Sequence, residues 1–291
     1  MKLLKKSFLL LFIAFICLFS LTGCTDDDMD HITVVVTNYP NEYIMKRLYS
    51  KHSKILSIYP DGVDIHQYKL SMKQKREYAN KDLFVYNGLI ETERELALEL
   101  LDINPDLKII DTAYVLEVAN FPNELWLNPS SFITMANNVK TGLDEYVSST
   151  YLKKEIADSF EQLKVKLSEL DANYRVTVEN TNNRTIVVNN KAMKYLEKFG
   201  ITVLSIDNEA SDKTVSVVEE AIQNSKISYI YSFAGDEQSS HTADFLNKYS
   251  TVKYVELHSI ANLTDEERKN KTGYIHIMEN NLELLKQELY Q

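Results

Sequence analysis

Residues 152–174 read LKKEIADSFEQLKVKLSELDANY, and their spacing decides the fold. Apolar side chains fall at Leu152, Ile156, Phe160, Leu163, Leu167, Leu170 and Tyr174, while Lys, Glu, Asp and Gln fill the gaps. Steps of three and four put one continuous stripe on a single helix face. A helix of about 25 residues is about 37 Å long. That exceeds the usual length in a globular domain, so 148–180 reads as a rigid spine.

On either side of the spine, short apolar runs bounded by Pro, Gly and Asp alternate with amphipathic segments. Before it, strands are predicted at 32–36, 54–58, 83–86 and 107–110, with helices at 42–50, 72–79, 91–101 and 129–146. After it, strands are predicted at 185–188, 201–205, 229–233 and 253–257, with helices at 192–198, 215–224, 242–248 and 274–290. The pattern is that of an α/β fold, with parallel sheets covered by helices on both faces. Two parallel-sheet lobes, 32–147 and 181–291, are thus expected on a long backbone helix. Ligands of open α/β sheets sit outside the carboxyl ends of the strands. A cleft between the lobes is therefore the expected site, built from the loops after Ile58, Ile110, Val188 and Leu257.

The N-terminus carries a different signal. Lys2, Lys5 and Lys6 precede an apolar run from 8 to 21, which at about 14 residues is too short to cross a bilayer comfortably. Leu21-Thr22-Gly23-Cys24 follows, with Thr25-Asp26-Asp27-Asp28 immediately after it. This looks like a bacterial lipobox. Residues 1–23 are expected to be removed as a signal peptide, and Cys24 to carry the lipid. Residues 24–31 would form a polar tether, and the product would sit at the cell membrane on its extracytoplasmic face.

Cys17 and Cys24 are the two cysteines, so such processing leaves no thiol for a disulfide, a Cys-type zinc site or a nucleophile. The formal charge of the whole chain is −10. Loss of three lysines with the signal segment makes it still more acidic, which excludes nucleic acid as a partner. No Gly-rich phosphate loop, Ser elbow or His-Glu-x-x-His helix is present, so no enzyme is expected.

Four motifs point to a family. Asp61-Gly62-Val63-Asp64-Ile65-His66-Gln67-Tyr68 resembles the Pro-Gly-Val-Asp-Pro-His-x-Tyr loop of solute-binding proteins for zinc and manganese ABC importers. Asp82-Leu83-Phe84-Val85-Tyr86-Asn87-Gly88-Leu89 is close to that family's Asp-Leu-Phe-Ile-Tyr-Asn-Gly-Leu, and Glu124-Leu125-Trp126-Leu127-Asn128-Pro129 resembles its His-x-Trp-Leu-Asp-Pro. Tyr274, Met278, Asn281, Leu282 and Leu285 match its C-terminal helix. The resemblance runs in order over about 31 to 291. It implies a C-shaped, two-lobed, lipid-anchored monomer that captures a divalent metal, zinc or manganese, and hands it to an ABC permease.

The family holds its metal with four ligands from four loops, mostly His with one carboxylate. The resemblance places them here at His66, Glu124, Asn190 and Ala261. Glu124 offers a carboxylate oxygen, Asn190 a neutral amide oxygen or a helix cap, and Ala261 nothing. His258 is the expected substitute, with Asp236 and Glu237 as further donors, and Asp64 is expected to hold the His66 ring. The implied site is altered and weakened for zinc. The alternative is a relative that has lost the metal and serves in adhesion, protein interaction or binding of another solute.

Overall fold

The computed structural model describes residues 27–65, 67–116 and 124–291. The signal segment, Cys24 and His66 lie outside the described residues. Two four-stranded parallel sheets form the body. In the first, β1 (Ile32–Val36), β2 (Ser53–Ser57), β3 (Leu83–Tyr86) and β4 (Lys108–Asp111) lie in the order β2-β1-β3-β4. In the second, β5 (Thr185–Val188), β6 (Thr202–Ser205), β7 (Tyr229–Phe233) and β8 (Lys253–Leu257) lie in the order β6-β5-β7-β8. The same winding recurs in both lobes. The chain leaves the inner strand to one side and then crosses to the other, so each sheet has a switch point, between β1 and β3 and between β5 and β7.

The helices around the first sheet are α1 (Tyr39–Tyr49), α2 (Met72–Ala79), α3 (Glu91–Ile103) and α4 (Pro129–Tyr146). Helix α5 (Thr150–Glu179) is the spine, 30 residues and thus about 45 Å long. All seven stripe residues from Leu152 to Tyr174 are buried. They meet α1, α4 and the C-terminal α9 (Tyr274–Leu289). Helices α6 (Asp212–Gln223), α7 (Ser240–Lys248) and the short α8 (Asp265–Lys269) complete the second lobe. The predicted helix at 192–198 is a 3-10 helix, Lys191–Phe199, stopped by Gly200 in the left-handed conformation at φ 88°.

Strand alternation sorts the core into three layers. Val34, Val36, Leu83 and Val85 share one apolar cluster with Ile186, Val188, Tyr231 and Phe233 of the other lobe and with the α5 stripe. Val35, Phe84 and Tyr86 face an outer cluster under α2 and α3, and Val187 and Ile230 face another under α6 and α7. Both sheets are buried on both faces, as parallel sheets are. The lobes therefore share one inner core rather than hang from a single helix.

Residues 27–31 differ from the polar tether expected there. Met29 is fully buried, and Tyr49 Oη donates to its carbonyl at 2.7 Å. Asp27 accepts from the Ser148 and Ser149 amides at 2.8 and 2.5 Å, just ahead of α5. His52 contacts Asp30 and Glu155, each at 2.9 Å. One buried methionine and this charge set dock a run that is polar in composition.

Candidate functional site

A cavity of about 440 Å³ lies between the lobes. Its wall includes Asp64, Glu124, Asn190, Asp236, His258 and Glu267. Four of these are carboxylates, and no Lys or Arg lines it among the described residues. Five of the six stand on segments that follow strands in the chain, and Glu267 stands on α8.

From the first lobe comes the 61–65 loop. Gly62, at φ 74°, donates its amide to the Leu263 carbonyl at 2.8 Å. Asn262 Nδ2 donates to the Pro60 and Val63 carbonyls at 2.8 and 3.1 Å. Arg268 closes the clasp on Asp61 at 2.6 Å and on buried Glu42 at 2.7 Å. The residues that lead into His66 are thus tied to the second lobe. His66 itself lies outside the described residues.

Glu124 precedes the 3-10 turn Leu125–Leu127. Trp126 beside it is fully buried, and its Nε1 donates to the Ser259 carbonyl at 2.7 Å. That anchor holds Glu124 against the cavity. Burial, then the negative charge of Asp236, pushes the Glu124 carboxyl up to about 7. Two carboxylates from different lobes thus feel each other across the cleft.

Asn190 follows β5 and caps the 3-10 helix: its Oδ1 accepts from the Ala192 amide at 2.9 Å. Its Nδ2 donates to Asp236 Oδ2 at 2.7 Å. Asp236 follows β7, after Gly235 at φ 86°. Neighbouring Asn189 donates to the Glu237 carbonyl at 3.0 Å and accepts from the Ser239 amide at 2.8 Å, which fixes this loop. Glu237 does not line the interlobe cavity; it lines a smaller one on the second lobe with Asp207 and Glu209.

His258 lines the cavity, but both of its nitrogens are engaged. Nδ1 accepts from the Ile260 amide at 2.8 Å, so Nε2 carries the proton and meets Glu267 Oε1 at 3.1 Å. In this arrangement neither imidazole nitrogen keeps a free lone pair toward the cavity. Ile260 sits at φ 65°, a strained conformation for a β-branched residue, and His258 brackets that turn. Glu267 was missed in the sequence. The pattern Thr264-x-x-Glu267 is a capping box that could have shown it, and the Thr264 amide donates to Glu267 Oε2 at 2.8 Å.

Ala261 lines the cavity with a methyl group and no donor atom. Among the described residues, no three His, Cys, Asp or Glu side chains converge closely enough to hold an ion by themselves. Asp64 lines the same cavity, and its carbonyl accepts from the Gln67 and Tyr68 amides.

Two parallel sheets with facing carboxyl ends, a shared core and an acidic cleft define a two-lobed binding protein. The chain belongs to the family described as zinc-uptake complex component A, periplasmic, whose model matches residues 34–288. It is 27% identical over 315 residues to the zinc-binding lipoprotein AdcA of Streptococcus pneumoniae, covering 98% of this chain and 61% of that protein. The chain thus spans less than two thirds of that relative's length. It is 25% identical to the high-affinity zinc uptake system protein ZnuA of Bacillus subtilis, covering 93% of this chain and 91% of that one. Among solved structures, the metal-dependent lipoprotein YcdH of Bacillus subtilis superposes with a TM-score of 0.76 at 22% identity, over 89% of this chain and all of that one. The Zn(II)-bound ZnuA-like domain of Streptococcus pneumoniae AdcA gives a TM-score of 0.73 at 25% identity, over 90% of this chain and all of that one.

Proposed function

We propose that this chain captures a divalent metal ion, zinc or manganese, outside the membrane and passes it to an ABC permease, while Cys24 anchors it through a lipid. The observation that carries this reading is the interlobe cavity, where Glu124 and Asp236 face a space without a Lys or Arg among its described lining residues. Two carboxylates held together in a partly desolvated cleft repel each other, and a divalent cation removes that repulsion.

Family membership supports the same reading, as does the name of a Lactococcus lactis relative, a metal ABC transporter substrate-binding lipoprotein, 28% identical over 217 residues. His66 enters on its motif alone and would supply the softer nitrogen donor. Glu124 would bind through oxygen, at about 2.0–2.2 Å from zinc. Such an oxygen-rich set narrows zinc's usual lead over manganese.

The test is the metal content of the protein after chelator treatment and reloading. One zinc or manganese ion per chain is expected, reduced in both His66→Ala and Glu124→Ala. Ala261, which contributes no donor, favours a second reading in which the scaffold serves adhesion or another solute. A chain that takes up neither ion would support that second reading.

A further inference from the structure

We propose that Asp236 is a metal ligand of this chain, supplying the carboxylate that position 261 lacks, and that Asn190 positions it. The inference rests on the reading of the cleft as a divalent-metal site. Placement comes first. Asn190 follows β5 and Asp236 follows β7, the two neighbouring strands between which the winding of the second sheet reverses. The crevice at such a switch point is where open α/β sheets receive ligands. In the first lobe the equivalent crevice is filled from within: Glu93 accepts from Thr37 Oγ1 at 2.5 Å, Asn38 Nδ2 at 3.0 Å and the Asn87 amide at 2.7 Å. The second lobe's switch point opens instead onto the interlobe cavity.

The donor atoms come next. His258 has spent both nitrogens on Ile260 and Glu267, and Ala261 has nothing to give. Asp236 lines the cavity opposite Glu124, from the other lobe. An ion that touches both would bind the lobes through hard oxygen atoms.

Asn190 explains how the carboxylate is held. Its Oδ1 must accept from the Ala192 amide to cap the 3-10 helix, so the amide cannot turn over without losing the cap. Nδ2 is thereby aimed at Asp236 Oδ2, 2.7 Å away. A carboxylate offers about four lone-pair sites, so one such hydrogen bond leaves capacity for a cation. Asn190 therefore acts through Asp236 rather than on the ion. Outer-shell partners of this kind are typically worth about 10–100-fold in metal affinity.

The experiment is calorimetry with zinc and with manganese on the full chain, stripped of metal and held in detergent. Four proteins are compared: wild type, Asp236→Asn, Asn190→Ser and the control Glu237→Gln. Asp236→Asn is expected to weaken both metals by about 100-fold or more. Asn190→Ser keeps a capping oxygen but loses the amide donor. It is expected to retain the metal-free melting temperature and to weaken binding by about tenfold. Its Co(II) absorption spectrum should also shift, which a purely structural role would not cause. Glu237→Gln should match wild type. If wild type binds and Asp236→Asn binds equally well, the inference is overturned while the metal reading of the cleft stands. If wild type gives no heat with either ion, the metal reading itself fails and the inference goes with it.

Discussion

At the scale of single residues, burial acts on the carboxyls of Glu93 and Glu124 alike, with different consequences. Glu93 is 2% exposed and wholly enclosed by partners from its own lobe. Burial dominates the hydrogen bonds from Thr37, Asn87 and Asn38 and, with the nearby charge of Asp111, pushes its carboxyl up to about 7. A raised folded-state value means that the folded chain binds the proton more tightly than the unfolded one. The resulting stability is complete below about pH 4.5 and is lost as pH rises through about 7. Glu93→Gln should flatten the fall in unfolding free energy between about pH 5 and 8 by up to roughly 3 kcal/mol, as read by urea titration. An unchanged slope would show that Glu93 is ionised in the fold. Residue identity alone did not reveal this partition. The motif order pointed to Glu124, and Asn190 was legible as a cap. That Asn190 also holds Asp236, 46 positions away, is a contact between two strand ends, and no local pattern encodes it.

Elements were legible where their cause is local. The spine could be read because its seven apolar residues repeat at helical spacing, and all seven are buried. Strands such as Leu83–Tyr86 and Thr185–Val188 could be read because they are short, apolar and bounded by turn residues. Strand order could not, since pairing in both sheets joins segments tens of residues apart. Two local signals were also lost: α8 is only five residues long, and the run at 27–31 is polar in composition yet docked. Asp27 bonds the Ser148 amide at 2.8 Å and the Ser148 hydroxyl at 3.0 Å, so it closes the approach to α5 from a distant part of the chain. Asp27→Ala should lower stability by about 1–2 kcal/mol, the usual worth of a helix-end acceptor. Hydrogen exchange should speed up at the start of α5 while the second sheet stays protected. Equal exchange in both proteins would mean that the docking is incidental.

At the scale of the whole molecule, the lobes are fastened on several levels. They share the inner core around α5, and Arg268 joins Asp61 and Glu42 of one lobe to helix α8 beside the cavity. Tyr274 hydrogen-bonds the Trp126 carbonyl, and Lys198 reaches Asn128 and Asp171 at 2.7 and 2.9 Å. Such fastening suits a cleft formed before its ligand arrives rather than a wide hinge. Arg268→Ala leaves buried Glu42 with fewer donors and should destabilise the fold by about 1–3 kcal/mol in a thermal melt. It should also weaken metal binding, because the 61–65 loop loses its clasp. A variant with unaltered affinity would show that the clasp serves stability alone.

The most direct test of an ion shared between the lobes is anomalous diffraction from crystals grown with manganese and with zinc. A single peak should lie in the cavity, within about 2.0–2.2 Å of carboxylate oxygens of Glu124 and Asp236. A cavity without a peak, or a peak touching neither carboxylate, would contradict capture of the metal between the lobes.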